Sequence, residues 1–424
     1  MPTQQPVILN DAQVKAMDLL ANGRDNILIL GSAGTGKSTF VRYLKNALDK
    51  KLICACPTAV SALNIGGQTI HSMFQIAPRD FVFPEFLKLK SRPRNVLCNA
   101  DVLVIDEISM VSPDVLDAMD YLARHARKNQ NPFGGLQVLA IGDLFQLPPV
   151  ITKAAEPHYE AEYGSKNAYF FDSHVYKRMK FAQLSFDQVF RQHDDELLGH
   201  LTALRRGDTA AALEFFNSLK SVDEDWLSRA VIITPFRNVA ESINNARLAA
   251  INAPEVTYTG VIDGNFADRD LPAPQNLVLK VGALAVFTKN DQRHRWHNGS
   301  MGVVQELDET IKVKLLGARE TVEVKPEKWE KIEYDRDDAG RLTENAIGSY
   351  TQFPLMPGYA MTIHKAQGKT LDAVIVDISR GAFTHGQTYV ALSRTRHSKD
   401  MHIATPLSAR DVIFDKRIVE FCNS

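Results

Sequence analysis

The chain has few cysteines, no long apolar run and almost no net charge, and each of the first two shortages excludes a class of protein. Its four cysteines (Cys54, Cys56, Cys98 and Cys422) form no C-x-x-C pair, which predicts reduced, mostly buried thiols and neither a disulfide nor a zinc site. No stretch reaches the roughly 18 apolar residues of a membrane span, and the amino terminus MPTQQPVILND has no basic or apolar leader segment. We therefore expect a protein that stays where it is made, in the cytoplasm.

The charge balance leaves the choice of partner open. With 49 Lys plus Arg against 50 Asp plus Glu, the formal charge is -1. A nucleic-acid site would have to come from local clustering of cations, since the protein as a whole is not basic. The 424 residues, 45% of them hydrophobic, suit an ordinary globular protein of about two to four domains.

Short apolar runs alternate with helical segments along most of the chain. Such runs of aliphatic residues indicate buried parallel strands within α/β layers, and their order predicts two such cores. The runs are NILIL, LICAC, DVLVIDE and LQVLAIGD in the first half and AVIITPF, DAVIVD and MHIATP in the second.

Two segments interrupt this alternation. Residues 253–350 alternate short apolar runs with turns, a pattern typical of a small β-barrel inserted into an α/β domain. Residues 74–99 are aromatic and basic, contain three prolines and break the strand rhythm of the first core. Each predicts an insertion.

The stretch GSAGTGKS, residues 31–38, matches the phosphate-binding pattern G-x-x-x-x-G-K-[ST]. In that pattern, glycines let backbone N–H groups face a phosphate, Lys37 reaches the β and γ phosphates, and the Ser38 hydroxyl can bind Mg²⁺. An apolar strand precedes the stretch, and a helix with apolar residues at Phe40, Leu44 and Leu48 follows it. We predict nucleotide contacts along the whole loop: Gly31, Ser32, Ala33, Gly34, Thr35, Gly36, Lys37, Ser38 and Thr39.

Carboxylates at the end of a later strand, ADVLVIDEISM, predict hydrolysis of the nucleotide. Asp106 is placed to hold Mg²⁺, and Glu107 to orient and deprotonate the attacking water. The next strand ends in IGDLFQLPPV, where Gln146 is a candidate sensor of the γ-phosphate. Considered by itself, Gln146 is equally consistent with a residue of a turn that has no catalytic role. For Asp143 the two alternatives are a structural cap and a relay within the site.

Taken in order, the motifs resemble those of superfamily 1B helicases, most closely the Pif1-like DNA helicases, which are related to Dda and RecD-type enzymes. Residues 112–135 resemble the Pif1 signature segment, and LKVGALAVFTKNDQRHRWHNGSMGVV is similar to the SH3-like insertion of the family. The matching motifs are GSAGTGKST, CPTAVSALNIGGQTIHSMF, VIDEISM, GDLFQLPPV, VFRQ, TIHKAQGKTLDAVIVD and TYVALSRTR.

The resemblance implies an α/β fold with two RecA-like domains and two insertions. Its expected bounds are 1–73 and 100–180 for domain 1A, 74–99 for insertion 1B as a wedge, 181–252 and 351–424 for domain 2A, and 253–350 for the SH3-like insertion 2B. It implies an ATP-driven motor that moves 5′ to 3′ on single-stranded DNA and unwinds duplex DNA at single-strand/double-strand junctions. G-quadruplexes and RNA–DNA hybrids are further candidate substrates, and we expect a monomer from a bacterium or bacterial virus.

The resemblance also assigns nucleotide contacts. Gln13 corresponds to the residue that reads adenine, and Gln367 and Gly368 belong to the motif that couples nucleotide to DNA. Arg191 and Arg394 match the arginines that reach the γ-phosphate from the second core, where a guanidinium contributes about 10³ to 10⁵ in rate. ATP and Mg²⁺ are the expected cofactors, the metal bound through Ser38 and Asp106.

DNA contacts are expected at equivalent places in the two cores. TIHS (residues 69–72) and TIHK (residues 362–365) each offer hydroxyl, imidazole or ammonium donors to one phosphate of the strand. Phenylalanines interleaved with cations in the first insertion suit base stacking, although at least half of them should be core. Trp296 and Asn298 are a DNA-contact or domain-contact hypothesis, and WHNG also suits a hairpin turn. The predicted DNA-contacting residues are Thr58, His71, Phe74, Thr234, Thr362, His364 and Lys365.

Two other classes remain as alternatives. One is a nucleic-acid-binding module that uses ATP only as a conformational switch, or an ATP-driven DNA translocase or helicase-like subunit that needs a partner, such as a nuclease, for strand separation. The other is a small-molecule kinase or another nucleotide-processing P-loop enzyme, which leaves the second core and its two arginines unexplained. The sequence favours the helicase.

Overall fold

The computed structural model describes residues 9–190, 192, 194–219, 224–317, 320–337 and 341–423. The chain divides into two compact units. The first contains Met1–Leu144, Pro148–Val189 and Glu330–Gly348, and the second contains Phe145–Leu147, Phe190–Trp329 and Ser349–Ser424. In the part of the chain that is described, no helix is both long and apolar enough to cross a membrane.

The first unit is built on a six-stranded sheet in which every neighbouring pair is parallel, in the order β3-β2-β4-β5-β1-β6. All residues of β2, β4 and β5 are buried, as expected for parallel strands covered on both faces. The strands are β1 (Asn26–Gly31), β2 (Leu52–Cys56), β3 (Gln68–Thr69), β4 (Val102–Ile105), β5 (Gln137–Gly142) and β6 (Phe181–Phe186).

Helices between these strands cover the sheet. The predicted apolar positions of α2, Phe40 and Leu44, are buried in the core together with Ile27, Ile29 and Phe186. Cys54 and Cys56 are buried as predicted, but Cys98 is exposed on α5. The helices are α1 (Asp11–Asn22), α2 (Lys37–Ala47), α3 (Ala59–Ile65), α4 (Ile70–Met73), α5 (Ser91–Asn99), α6 (Pro113–Arg127), α7 (Glu156–Tyr163) and α8 (His174–Arg178).

The second unit holds a parallel sheet in the order β18-β7-β19-β20 and an antiparallel sheet in the order β14-β13-β12-β11-β17. Strands β8 and β10 pair with each other. A further three-stranded sheet has the order β15-β16-β9. The strands are β7 (Val231–Thr234), β8 (Glu255–Thr259), β9 (Val261–Gly264), β10 (Asn276–Lys280), β11 (Leu284–Phe287), β12 (Met301–Leu307), β13 (Ile311–Leu315), β14 (Thr321–Val324), β15 (Glu327–Arg336), β16 (Leu342–Gln352), β17 (Leu355–Pro357), β18 (Ala360–Thr362), β19 (Val374–Val376) and β20 (Met401–Ile403).

The antiparallel strands enclose a separate apolar core. Along β13, buried Ile311 and Val313 alternate with exposed lysines, the period-two pattern of a sheet with one buried face. Phe287, Trp296 and Val304 pack in the same core. The helices of this unit are α9 (Asp195–Arg206), α10 (Ala210–Ser218), α11 (Glu224–Arg229), α12 (Arg237–Ala249), α13 (Ile363–Ala366), α14 (Gln387–Leu392) and α15 (Lys416–Asn423). The predicted α/β class with parallel sheets is confirmed.

Residues 330–348, the outer part of hairpin β15–β16, belong to the first unit. Tyr334 is 1% exposed, and its hydroxyl accepts a hydrogen bond from the Cys54 backbone N–H at 3.1 Å. Glu333 and Asp335 both form salt bridges with Arg92 of α5. The hairpin therefore satisfies a backbone donor of β2 and neutralises a cation of the aromatic and basic segment.

Three aspartates, spaced by three residues, lie buried along one face of α6. Asp114 accepts hydrogen bonds from the Val82 N–H at 2.8 Å and the Tyr159 hydroxyl at 2.7 Å. Asp117 accepts from the Tyr163 hydroxyl and from the first two backbone N–H groups of α8. Because buried carboxylates require such donors, this face fixes the residues around Val82 and the start of α8.

The third carboxylate, Asp120, is 2% exposed and accepts from the Phe133 N–H at 2.7 Å and from Arg124 and Arg178. Replacing Asp120 with Ala leaves a buried N–H and two guanidinium groups without this acceptor. We expect the free energy of unfolding to fall by about 2–4 kcal/mol, measured by urea denaturation of the full chain. Asp49→Ala, at an exposed carboxylate, is the matched control and should change it by less than about 0.5 kcal/mol. Equal effects of the two variants would contradict this account.

Candidate functional site

Three neighbouring strands of the first unit deliver the predicted nucleotide residues to one edge of the sheet. Strands β4 and β1 both pair in parallel with β5, so their carboxyl ends emerge side by side. The glycine-rich loop follows β1, Asp106 follows β4, and the segment with Asp143 follows β5. In open α/β sheets, ligands bind beside this edge.

The loop after β1 has the conformation that a phosphate requires. Gly34 and Gly36 adopt φ values of 86° and 79°, which side-chain-bearing residues avoid, and left-handed turns of this kind suit an anion that accepts from successive backbone N–H groups. The Lys37 ammonium lies across the loop and donates to the carbonyls of Gly31 and Ser32, at 2.8 Å each. A side chain at Gly31 would meet the Phe186 carbonyl at 2.8 Å, so the cradle also depends on β6.

Asp106 is 3% exposed at the end of β4 and accepts from the Glu107 N–H at 3.0 Å. Burial, then repulsion by Glu107, raises the pKa of Asp106 to about 7, while the Lys37 charge lowers it. Glu107 has a left-handed backbone with φ 54°, an uncommon conformation for glutamate that is typical of functional sites. Ser38, exposed in the first turn of α2, adds a hydroxyl; oxygen donors of this kind suit Mg²⁺.

Gln13 is 5% exposed and completes a capping box at the start of α1. Its side-chain oxygen accepts from the Asn10 N–H at 3.1 Å, and its own N–H donates to the Asn10 side chain at 3.0 Å. With the oxygen held in this way, the side-chain NH₂ group is the part that can donate to a base.

The segment after β5 contains fully buried Asp143, and its residues Phe145–Leu147 group with the second unit. There the Arg205 guanidinium lies 4.5 Å from the centre of the Phe145 ring. Gly386, which caps α14 with φ 77°, approaches so closely that a Cβ would stand 2.4 Å from the Gln146 carbonyl. The segment that carries Gln146 is thus packed directly against the start of α14.

Two threonines stand at the ends of adjacent strands in the first unit. Cys56, the last residue of β2, lies opposite Thr69, and Thr58 follows just beyond. Thr69 caps the short helix α4, its hydroxyl accepting from the Ser72 N–H at 3.2 Å, and His71 lies within that helix.

The second unit repeats this arrangement. Thr362 lies opposite Thr234 at the ends of β18 and β7, and its hydroxyl caps α13 by accepting from the Lys365 N–H at 3.3 Å. His364 and Lys365 are exposed, whereas Thr234 is 2% exposed. In both units, a threonine at the end of a strand (Thr69 or Thr362) therefore caps a short turn of helix beside the end of the neighbouring strand, and in the second unit its partner there is Thr234.

Of the two predicted arginines, Arg394 lies within the described residues and Arg191 does not. Arg394 is fully buried, and its guanidinium donates to the carbonyls of Val390, Ala366 and Lys369 and to the Ser393 hydroxyl. Arg394 thus connects α14 to the segment that contains Gln367 and Gly368.

Gln367 and Gly368 lie in the turn that follows α13. The Gln367 side-chain nitrogen is buried and has no hydrogen-bond partner among the described residues. Gly368 has φ 77°, and a Cβ there would meet nothing within 4 Å. A buried donor without a protein partner suits contact with a ligand acceptor.

The aromatic residues of the first insertion divide into core and surface. Phe74 and Phe81 are 0% and 9% exposed, whereas Phe83 and Phe86 are 42% and 75% exposed. The buried ring of Phe74 presents no face to a base in this conformation. Trp296 is likewise buried, 4.6 Å from the Phe287 ring, as part of the antiparallel core.

Sequence reasoning missed several contacts around the site. The aspartates of α6 could have been found from their spacing of three, which places carboxylates on one helical face. The stacking of Arg205 on Phe145 and the hydrogen bond from Lys369 to Asn298 join residues far apart in the chain, so no local pattern indicates them.

Replacing Gly386 with Ala should slow ATP hydrolysis about tenfold or more, because the new methyl group displaces the segment that carries Gln146. Gly381 is the matched control: its φ of 80° imposes the same backbone strain, but nothing lies within 4 Å of its missing Cβ. Steady-state hydrolysis with Mg²⁺ compares the two variants. If both lose activity equally, backbone strain rather than the close approach is responsible.

Comparison with known proteins agrees with this geometry. A family profile described as PIF1-like helicase matches residues 5–209. The ATP-dependent DNA helicase Pif1 of Bdellovibrio bacteriovorus is 32% identical over 435 residues, covering 99% of this chain and 93% of the relative. The structure of Bacteroides sp Pif1 in complex with ADP-AlF4 matches with a TM-score of 0.90 at 33% identity, covering 99% of this chain and 97% of the other. Bacteroides Pif1 bound to ssDNA matches with a TM-score of 0.70 at 33% identity, over 99% and 97%. The expected resemblance is confirmed, and this chain belongs to the Pif1 family of ATP-dependent DNA helicases.

Proposed function

We propose that this DNA helicase moves 5′ to 3′ along single-stranded DNA by alternating two grips on the strand. The observation that carries the proposal is the repeated arrangement in the two parallel sheets, where a threonine at the end of one strand caps a short turn of helix beside the end of the neighbouring strand. The direction of movement is supported by the motifs shared with superfamily 1B. The solved Bacteroides relatives that are bound to ADP-AlF4 and to ssDNA support the two kinds of ligand.

The nucleotide roles follow from the chemistry at the sheet edge. Lys37 and the loop Gly31–Thr39 bind phosphates, the NH₂ group of Gln13 contacts adenine, and Ser38 and Asp106 hold Mg²⁺. The metal, when bound, neutralises charge that develops on the phosphates. Glu107 accepts a proton from the attacking water, and Gln146 contacts the γ-phosphate.

Arg191, Arg394, Gln367 and Gly368 complete the proposed nucleotide contacts. Arginine suits the γ-phosphate because its planar fork spreads over several oxygens. In this structure the Arg394 guanidinium orders residues 366–369, which supports an additional role in holding Gln367 beside its ligand.

The DNA contacts proposed for the first grip are Thr58, His71 and Phe74, and those for the second are Thr234, Thr362, His364 and Lys365. Exposed His364 and Lys365 offer donors to a phosphate directly. Phe74 stays a predicted contact although its ring is buried here.

We further propose the domain bounds stated above: 1–73 with 100–180 as 1A, 74–99 as wedge 1B, 181–252 with 351–424 as 2A, and 253–350 as SH3-like 2B. The antiparallel sheet and its own apolar core support a separate insertion in the second half. Junctions between single and double strands are the proposed substrate, with G-quadruplexes and RNA–DNA hybrids as further candidates. The proposal includes a monomeric motor in the cytoplasm of a bacterium or a bacterial virus, and the bacterial relatives support the bacterial source alone.

The direction is tested with partial duplexes that are identical except for a 5′ or a 3′ single-stranded tail. With ATP and Mg²⁺ we expect unwinding of the 5′-tailed substrate alone and a sharp rise of ATP hydrolysis on single-stranded DNA. Glu107→Gln is the control, and it should lower hydrolysis by about 10²–10⁴-fold. Unwinding from the 3′ tail would overturn the proposed direction, and normal hydrolysis by the variant would overturn the role of Glu107.

The wedge is tested at Phe86, the most exposed phenylalanine of the first insertion. If its ring stacks on a base at the junction, Phe86→Ala should slow strand separation about fivefold or more, since such stacking contributes about 1–3 kcal/mol. ATP hydrolysis on single-stranded DNA should fall much less, because that activity needs no junction. Val150→Ala, at a position 76% exposed in the same unit, is the control. A loss of both activities in parallel would contradict a wedge role.

A further inference from the structure

The loop between β11 and β12 makes close contacts with the segment that follows α13, and both lie in the second unit. The Lys369 ammonium donates to the Asn298 side-chain oxygen at 2.8 Å. Three residues further along in each segment, the Met301 N–H donates to the Asp372 carboxylate at 2.9 Å. The His297 imidazole lies 3.6 Å from the other oxygen of Asp372. We call these contacts the 298–369 joint.

Between the Lys369–Asn298 and Met301–Asp372 hydrogen bonds, the backbones of the two segments are in close contact. Gly299 has φ 102°, and a Cβ at this position would stand 2.1 Å from the Thr370 carbonyl. Only glycine permits both the conformation and the approach. The joint is therefore a specific fit between the two segments.

The loop that makes this contact is itself held firmly. Asn290 accepts from the Asn298 N–H at 2.7 Å, and Asp291 forms a salt bridge with Arg295 and accepts from the Arg295 backbone N–H at 3.0 Å. The Gly299 N–H donates to the Phe287 carbonyl at 2.8 Å. A loop with these internal bonds can position what it touches.

On its other side, the 366–372 segment is held by Arg394. The guanidinium donates to the carbonyls of Ala366 and Lys369, and the Leu371 N–H donates to the Arg394 carbonyl at 2.9 Å. Helix α13, with His364 and Lys365, comes directly before this segment. The antiparallel insertion thus connects through the segment to both the proposed phosphate arginine and the proposed DNA grip.

A lysine at position 369 lowers the stability of the fold if its contact has only a structural role. The side chain is 8% exposed, and Asn298 is the one hydrogen-bond partner of its ammonium among the described residues, with no carboxylate within salt-bridge distance. Burial and the nearby Lys365 charge lower the pKa of Lys369 to about 8. A buried ammonium with one neutral partner destabilises a fold, and an apolar side chain of similar size does not.

We propose that Asn298, Lys369 and Asp372 are positioning residues that couple DNA binding to ATP hydrolysis, by holding the 366–372 segment where Arg394 and Gln367 act. The inference rests on the proposed roles of these two residues and of α13. The joint transmits the position of the insertion to the nucleotide residues. Its loss uncouples hydrolysis from DNA.

The test is the ratio of ATP hydrolysis rates at saturating oligo(dT) and without DNA, measured on the full chain with Mg²⁺. Lys369→Met should lower this ratio about fivefold or more, within the usual range of couplings between sites. Its melting temperature should stay equal to that of the wild type or rise, because a buried charge is removed. Lys312→Met, at a lysine in an exposed salt bridge of the same insertion, is the matched control and should keep the wild-type ratio.

A second pair of variants keeps the result independent of folding. Asn298→Asp gives the ammonium an opposite charge and should preserve the ratio, whereas Asn298→Leu should lower it as Lys369→Met does. A wild-type ratio in Lys369→Met, or an increase only in the DNA concentration needed for half-maximal hydrolysis, would overturn the joint. Hydrolysis by the wild type that does not respond to DNA would instead overturn the proposed function on which the joint depends.

Discussion

The parallel pairing of β5 with both β1 and β4 is the constraint on which the nucleotide site depends. Strands that run in one direction end at one edge, so the glycine-rich loop after β1 and Asp106 after β4 lie at the same edge although they are far apart in the chain. The same constraint orders the second unit, where β7 and β18 end together at Thr234 and Thr362. Polar residues stand at or just after these strand ends, where the apolar residues of the strands stop.

Burial sets the chemistry at this edge as well as its geometry. Asp106 sits where its charge is poorly solvated and is repelled by Glu107, so its pKa rises to about 7. A cation at this position restores the charged form, and for that reason a buried carboxylate at the end of an apolar strand suits a metal ligand better than a structural ion pair. The positive charge of Lys37 likewise lowers the pKa of Asp106 and favours its charged form. The Lys37 ammonium is held in place by hydrogen bonds to the carbonyls of the loop.

The sequence predicted those parts of the molecule that local patterns determine. Apolar runs such as NILIL and LICAC predicted the parallel strands, because a strand that is covered on both faces carries mainly apolar side chains. The glycines of GSAGTGKS predicted the loop. Tertiary contacts were beyond this reasoning. The burial of Phe74 and the packing of Trp296 depend on which neighbours the fold supplies, and an aromatic residue among cations has the same local pattern in a core as on a surface. Likewise, nothing near Arg394 in sequence indicates that its guanidinium donates to carbonyls at 366 and 369.

Buried charge provides the sharper distinction between structural and functional polar groups. On α6 each aspartate accepts several hydrogen bonds, which offset the free-energy cost of burying the carboxylate and fix the surrounding backbone. Lys369 receives one neutral acceptor and no counter-ion among the described residues, so its burial costs stability that the contact returns only in part. Two buried polar clusters in one chain thus differ in the number of partners per charge. The α6 carboxylates hold the fold together, whereas the 298–369 joint stabilises a particular position of a segment that must act on its ligands.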